Sequence, residues 1–143
     1  MGKILLDTNV ISELMRPRPS AQVMTWFDQQ NNTAFFVSSI ARAEIMLGIA
    51  LLPAGKRRNT LAALADNVFT EDLAHSSLPF DDPCATEYAF LVAALSAQGY
   101  PISTEDAQIA ATALAHRMAL ATRNVKDFKG IEGLTVVNPW NDN

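Results

Sequence analysis

Three carboxylates stand in apolar surroundings along this chain of 143 residues. Asp7 ends the apolar run Ile4–Leu6. Glu44 shares the stretch 29–55 with a single other charged side chain. Asp106 heads the apolar stripe of a predicted helix. An ionised carboxylate beside apolar side chains is costly unless a cation or hydrogen bonds compensate its charge. All three acids are therefore candidates for chemistry.

Each acid alone has an ordinary explanation. Asp7 could cap the helix that follows it, Glu44 could pair with an arginine, and Asp106 suits the first turn of a helix, where the dipole favours acids by roughly 0.3–1 kcal/mol. Three converging carboxylates, however, would repel one another unless a cation joined them. Oxygen ligands suit Mg²⁺ or Mn²⁺, whereas zinc prefers His or Cys. An ion held in this way can catalyse reactions at phosphate groups.

A fourth polar segment lies in "LATRNVKDF". Its apolar run ends in Thr122, Arg123 and Asn124, and Asp127 follows three residues later. Asn and Asp favour turns because they hydrogen-bond locally, so a plain polar turn is the simplest interpretation of this segment by itself.

Strands alternate with helices in the predicted secondary structure, which favours an α/β fold with a parallel sheet of four to five strands and helices on both faces. The predicted strands are Lys3–Leu6, Ala34–Val37, Ser77–Phe80, Leu120–Thr122 and Leu134–Val137. The predicted helices are Asn9–Met15, Ala21–Gln30, Ile40–Leu52, Arg57–Phe69, Pro83–Ala97 and Glu105–Ala115. Ligands of such sheets bind beyond the carboxyl ends of the strands, where we expect Asp7, Asp81 and Asn124.

Helical periodicity places the acids on particular faces. Glu44 falls on a predicted core-facing stripe with Ile40, Leu47 and Leu51. It is expected either to face the core with them or to lie at the edge of the stripe, paired with an arginine. In the last helix the face of Asp106 is predicted to be buried, and the opposite face, which includes Thr112, to be solvated. Predicted helix N-caps are Ser20, Ser39 and Thr104, and Gly99 is predicted to end a helix.

Composition limits the class of protein. The chain is 49% hydrophobic and 18% charged, with a net charge of −4 and a pI of about 5.0. The negative net charge argues against a protein whose whole surface binds nucleic acid, but it is compatible with a cluster of metal-binding carboxylates. No apolar run reaches the ~20 residues of a membrane span. Cys84 is the single cysteine, so a disulfide framework is excluded. We expect a soluble cytoplasmic protein.

The motifs together resemble the PIN-domain family, in its VapC-like branch of ribonuclease toxins from type II toxin–antitoxin systems. The matching segments are "LLDTNVISEL", "ARAEIMLGI", "DAQIAATAL", "LATRNVKDF" and "VVNPW". The resemblance implies one PIN-like nuclease domain over residues 1–143. It also implies a Mg²⁺- or Mn²⁺-dependent endoribonuclease, a homodimer, and a small DNA-binding, autoregulatory antitoxin that neutralises the toxin.

The resemblance also assigns roles to residues. Asp7, Asp106 and Glu44 become metal ligands, and Glu44 also becomes a group that positions water. Many relatives have an acid where this chain has Asn124. Asp127, three residues later, is a further catalytic candidate because it could supply the missing acid. The residues that orient the carboxylates are expected to be Thr8, Asn9, Thr122 and Asn124. The candidates for RNA contact are Arg16, Arg18, Arg42 and Arg123.

Two other interpretations remain open. Asn124 weakens a second metal position, so the chain could be a catalytically weak PIN protein that acts mainly through an antitoxin–DNA complex. A receiver-like signalling module shares the length and the alternating pattern, and it would use Asp81 as the phosphorylated residue. That interpretation leaves Glu44 and Asp106 without a role.

Overall fold

Five parallel strands, six α-helices and two short helical segments, Val68–Asp72 and Val125–Phe128, make up the fold of residues 2–141, which the computed structural model describes. The strands are β1 (Gly2–Leu6), β2 (Thr33–Ser38), β3 (Ser77–Leu78), β4 (Ala119–Ala121) and β5 (Val136–Val137). The helices are α1 (Thr8–Leu14), α2 (Ala21–Asp28), α3 (Ser39–Ala50), α4 (Lys56–Asn67), α5 (Asp82–Gln98) and α6 (Thr104–Ala115). The predicted α/β class is confirmed. The predicted domain limits, 1 and 143, lie outside the described residues.

The order of the strands is β3-β2-β1-β4-β5, and each neighbouring pair is parallel. The chain builds the sheet outward from β1 to β3 and then returns to place β4 on the other side of β1. Leu6 of β1 lies beside Ala121 of β4. The strand order therefore reverses between β1 and β4, and open parallel sheets bind ligands in the crevice at this switch point.

Helix ends follow the residues that cap them. Asp7, Ser38 and Ser103 are the N-caps of α1, α3 and α6, and each side chain accepts a hydrogen bond from a backbone N–H of the first turn. The predicted caps Ser39 and Thr104 are thus wrong by one residue, since each stands beside a second hydroxyl residue that takes the role. Gly99 ends α5 in the left-handed conformation, as predicted.

The core face of α3 differs from the predicted stripe. Ala41 and Ile45 are its buried residues, whereas Leu47 is 59% and Leu51 75% exposed. The predicted core stripe is therefore wrong: Glu44 stands at the margin of the core. The apolar content of α3 misled the prediction because its outer face is also apolar.

Helix α6 is buried more completely than its pattern predicted. Ile109, Ala110 and Ala113 are fully buried as expected, but so is Thr112 on the face predicted to be solvated. The Thr112 hydroxyl donates to the Gln108 carbonyl at 2.8 Å, which satisfies it inside the core. Small side chains let α6 pack tightly on both sides.

Aromatic side chains pack around the first half of the sheet. Trp26, Phe27 and Phe35 form edge and tilted ring contacts with centroids 4.9–6.0 Å apart. They are half-buried and pack against the core, so they serve the fold. Within residues 2–141, no helix combines the length and the apolar character that crossing a membrane requires.

Candidate active site

The carboxylate of Asp7 lies at the switch point, where β1 and β4 end. Its Oδ2 accepts a hydrogen bond from the Thr122 hydroxyl at 2.7 Å, and its Oδ1 accepts one from the Thr8 backbone N–H at 2.8 Å. The Asp7 N–H in turn donates to the Ala121 carbonyl at 2.9 Å. Asp7 thus caps α1 and is also locked to the end of β4, so the capping explanation is correct but incomplete.

The Thr122 hydroxyl organises three neighbours at once. It donates to Asp7 and accepts hydrogen bonds from the Asn9 side chain at 3.2 Å and from the Asn124 backbone N–H at 3.1 Å. Asn9 completes the connection by accepting from the Arg123 N–H at 3.1 Å. A hydroxyl has one donor and two acceptor positions, and Thr122 uses all of them. The segment after β4 is therefore tied to Asp7 and to α1.

Thr8 joins Glu44 to the same group. Its hydroxyl donates to Glu44 Oε1 at 2.8 Å, while its backbone N–H holds Asp7. Glu44 comes from α3, 36 residues further along the chain. The single residue after Asp7 therefore places two acids from separate elements side by side.

Asp106 faces the other acids from the first turn of α6. Its N–H donates to the Ser103 hydroxyl at 3.1 Å. Burial and then the negative charge of Asp7 raise the pKa of Asp106 to about 6, with smaller contributions from Asp127 and Glu44. A charge effect from three separate acids means that Asp106 shares one region with them.

Asp7 experiences the same environment. Burial raises the pKa of Asp7 above its ordinary range, although hydrogen bonds from Thr122, Thr8 and Asn9 oppose that shift. The negative charge of Asp127 raises it further. The hydrogen bonds therefore offset the burial of Asp7 only in part, and a neighbouring acid adds to the shift.

Asn124 and Asp127 occupy the short helical turn after β4. Asn124 lines the cleft described below, and its carbonyl accepts from the Asp127 N–H at 3.0 Å. Asp127 is exposed, but its charge reaches both Asp7 and Asp106. This turn thus adds an amide from Asn124 and a more distant acid from Asp127.

A cleft of about 540 Å³ opens over these groups. Its walls include Asp7, Thr8, Asn9, Glu44, Asp106 and Asn124, together with Ser12, Glu13, Arg16, Arg123 and Trp140. The donor set is made of carboxylate, hydroxyl and amide oxygens, and the pKa values of Asp7 and Asp106 are raised mainly by burial and further by neighbouring negative charge. Such a set fits a hard divalent cation such as Mg²⁺ or Mn²⁺.

The four candidate arginines have different positions. Arg16 and Arg123 line the cleft, with Arg16 paired to Glu13 at 3.3 Å and Arg123 stacked over the Trp140 ring at 5.0 Å. Arg18 is exposed on the turn after α1. The structure does not bring Arg42 to the cleft, because its guanidinium stacks on the Phe69 ring at 5.1 Å in another pocket.

Glu13 is a residue of the cleft that the sequence reasoning missed. It is buried, pairs with Arg16, and accepts the Ser20 N–H at 2.8 Å. Its signal was the helical spacing of Asn9 and Glu13, which puts two polar residues on one face of α1, with Arg16 following in the turn after the helix. Glu13 holds the turn before α2 and positions Arg16 at the rim.

Asp81 does not lie with Asp7, which corrects the expected position. It caps α5 by accepting the Cys84 N–H at 3.4 Å, and its carboxylate lies within 4.8 Å of ligand atoms on Cys84 and His116. His116 ends α6, ten residues and thus about 15 Å along the helix axis from Asp106. Asp81 therefore lies near the opposite end of α6 from Asp106 and does not line the cleft.

Comparison with known proteins identifies the family of the chain. Residues 4–134 match the family model for the PIN domain. The chain is 41% identical to a VapC ribonuclease, Y4jK, of Sinorhizobium fredii over 96% of this chain and 97% of that protein. It is 40% identical to the toxin FitB of Neisseria gonorrhoeae, with 97% and 99% covered.

A solved structure has the same fold. The structure of FitAB bound to an IR36 DNA fragment contains a chain that superposes with a TM-score of 0.83 at 39% identity, covering 98% of this chain and 97% of that one. The receiver-like interpretation is therefore wrong, since the alternating pattern of strands and helices is common to both folds and only the acids distinguish them. The chain belongs to the PIN domain family.

Proposed function

We propose that this protein is a metal-dependent endoribonuclease that acts as the toxin of a toxin–antitoxin pair. The observation that carries the proposal is the convergence of Asp7, Glu44 and Asp106, from three separate elements, on one cleft at the switch point. The relatives named as a ribonuclease and a toxin support the same activity.

Asp7, Glu44 and Asp106 would hold the cation. Once bound, Mg²⁺ or Mn²⁺ would supply Lewis acidity toward a phosphate oxygen and a water of lowered pKa. Burial and the negative charge of Asp7 raise the pKa of Asp106, and a bound cation would favour its ionised form by offsetting both effects.

The chain's own residues carry the remaining tasks. Thr8 and Thr122 fix the carboxylate of Asp7, and Thr8 also fixes that of Glu44. Glu44 is the group assigned to orient the attacking water and to take its proton. The water oxygen then bonds to phosphorus as the bond to the 3′-oxygen breaks. The 3′-oxygen takes a proton from solvent and becomes a hydroxyl, and the other product carries a 5′-phosphate. Arg16 and Arg123, at the rim, are placed to contact the RNA backbone.

The test is cleavage of a mixed RNA pool by purified protein in Mg²⁺ or Mn²⁺. We expect Asp7→Asn and Asp106→Asn to lose more than the roughly 100-fold that follows removal of a group merely supporting a metal ligand. Glu105→Gln, which changes the exposed neighbour of Asp106, is the matched control and should cleave like wild type. Equal cleavage by all four proteins, or cleavage that EDTA leaves unchanged, would refute the proposal.

The antitoxin is assigned to a groove beside the cleft. This groove has a volume of about 880 Å³ and runs between α1, α3 and α4, with apolar walls that include Met15, Ile49, Leu61 and Leu64. The related toxin chain was solved as part of the FitAB complex on DNA. We infer that a small DNA-binding, autoregulatory antitoxin lays an apolar segment here, and that two copies of the chain form a homodimer in the cytoplasm.

A catalytically weak protein that acts mainly through an antitoxin–DNA complex is the second candidate. Asn124 favours it, because an amide at this position adds no negative charge for a second metal ion. The cleavage assay separates the two candidates. Absence of cleavage by folded, antitoxin-free protein, together with operator binding by the complex, would favour the second.

A further inference from the structure

A second group of metal-ligand side chains lies away from the cleft. Ligand atoms of Asp81, Cys84 and His116 lie within 4.8 Å of one another. Among residues 2–141 this is the one group of three His, Cys, Asp or Glu side chains that meets this distance. It contains a thiol and an imidazole, so its chemistry differs from that of the carboxylate cleft.

Local structure fixes each of the three side chains. Asp81 and Cys84 are the N-cap and a first-turn residue of α5, and the capping hydrogen bond joins them. His116 stands at the end of α6, where Arg117 is left-handed at φ 56°. The Arg117 N–H bonds to the Leu114 carbonyl and the Met118 N–H bonds to that of Ala113, which is a Schellman motif. A strained helix end thus holds the imidazole next to the start of α5.

One nitrogen of the His116 imidazole has no hydrogen-bond partner among residues 2–141. Its Nε2 is buried, and no hydrogen bond reaches it from the described residues. The Cys84 thiol is fully buried, contacts the Pro79 carbonyl at 3.8 Å and also interacts with the side chains of Asp81 and Thr112. Buried polar groups are normally satisfied, so an unpaired imidazole nitrogen beside a thiol and a carboxylate points to a missing ligand.

We propose that Asp81, Cys84 and His116 form a second cation site, selective for Zn²⁺, that ties the start of α5 to the end of α6. One sulfur, one nitrogen and one oxygen are the ligand types that zinc prefers, and a water would complete four-coordination. The exposed Asp81 gives the ion an entrance from solvent. Mg²⁺ requires oxygen ligands and is expected in the cleft only.

Cobalt absorption tests the site directly. Tag-free, reduced protein is titrated with Co²⁺, and a thiolate-to-cobalt band in the near ultraviolet is followed. Because Cys84 is the single cysteine, any such band reports this site. We expect saturation at one equivalent, loss of the band on adding Zn²⁺, and no effect of Mg²⁺. A folded wild-type protein without the band, or a band that survives in Cys84→Ser, would overturn the proposal.

Variants that retain the buried cysteine test the site without the risk that replacing Cys84 prevents folding. His116→Gln and Asp81→Asn should each weaken Zn²⁺ binding by about tenfold or more, measured by competition with Co²⁺. Matched controls are His75→Gln and Asp82→Asn, which change exposed residues outside the group. Zn²⁺ should also raise the melting temperature of wild type but not of His116→Gln. Equal zinc affinity in all these variants would contradict the assignment, whatever the nuclease assay shows.

Discussion

At the residue scale, the hydroxyl of Thr122 holds the site together. Thr122→Val keeps the shape but removes the hydrogen bonds of Thr122 to Asp7 Oδ2, to the Asn9 side chain and to the Asn124 N–H, and leaves Asp7 Oδ2 only the 3.4 Å bond from Asn9. We expect a loss on the order of 2–3 kcal/mol in the free energy of unfolding, because these groups lose hydrogen bonds where water has poor access. Urea denaturation measures the change.

Thr122→Ser is the matched control. It keeps the hydroxyl and removes one methyl group, so it should cost only about 1 kcal/mol. Nuclease activity should survive in the serine variant and fall in the valine variant. If both variants lose equal stability, packing of the methyl group matters more than the hydroxyl network.

The raised pKa of Asp106 predicts how the metal-free protein responds to pH. In the folded chain the pKa is about 6, against 3.8 for the ordinary carboxyl. The folded state therefore binds this proton more tightly. The stability contributed by Asp106 is complete below about pH 4 and is lost as the pH rises through about 6. In EDTA, the melting temperature should fall across this interval as the pH increases.

Two variants show whether Asp106 is the cause. Asp106→Asn removes the charge, so it should flatten this dependence and raise the melting temperature at neutral pH. Glu105→Gln should keep the dependence of wild type. A decline in the Asp106→Asn protein as steep as in wild type would assign the effect to Asp7, whose pKa is also raised by burial.

At the element scale, the turn after the short helix at residues 125–128 depends on Gly130. Its φ is 86°, and a Cβ there would lie 2.6 Å from the Tyr100 ring. Gly130→Ala must move that ring and also adopt an unfavourable backbone, so we expect a loss of about 2 kcal/mol or more. Thermal unfolding of the metal-free protein measures it.

Gly48 provides the opposite case. It lies in α3, and no atom lies within 4 Å of a Cβ built there. Gly48→Ala should stabilise the protein by roughly 0.5–1 kcal/mol, because alanine favours the helix. A destabilised Gly48→Ala protein would mean that α3 has a contact in solution that the single chain does not explain.

Elements were predictable from the sequence where one pattern dominates. Asp7 follows an apolar run, and Gly99 follows a long helix, so both boundaries were recognised. The buried and exposed faces of the helices were harder to predict from the sequence. Leu47 and Leu51 are exposed on the outer side of α3. Helical periodicity cannot distinguish an exposed leucine from a buried one, so both were predicted to face the core. Thr112 was misplaced because its hydroxyl is satisfied by its own helix.

At the scale of the whole molecule, alternation of strands and helices was enough to predict the sheet. Alternation does not give the strand order, and only the order brings β4 beside β1 and thereby Thr122 to Asp7. The long-range hydrogen bonds of the site join residues that are 36 to 115 positions apart, so they cannot be predicted from residue spacing in the sequence. Asp81 was misplaced for the same reason, because its partner His116 is distant in the chain.

The proposed antitoxin groove gives a prediction for the assembly. Gly48 lines this groove, and nothing lies close to it. Gly48→Trp should therefore leave the fold and RNA cleavage intact while it fills the space that the antitoxin segment needs. Cleavage in the presence of the cognate antitoxin is the measurement. Full neutralisation of the tryptophan variant would place the antitoxin elsewhere.

The groove and the cleft have one wall in common. Thr8, Ser12, Arg16 and Glu44 line both of them. A segment seated in the groove would touch the residues that RNA needs, so inhibitor and substrate would exclude each other. Inhibition would then be competitive: the antitoxin would raise KM and leave kcat unchanged, and abundant RNA would delay the silencing of the toxin. The balance between the two proteins in a cell would depend on how much target RNA is present.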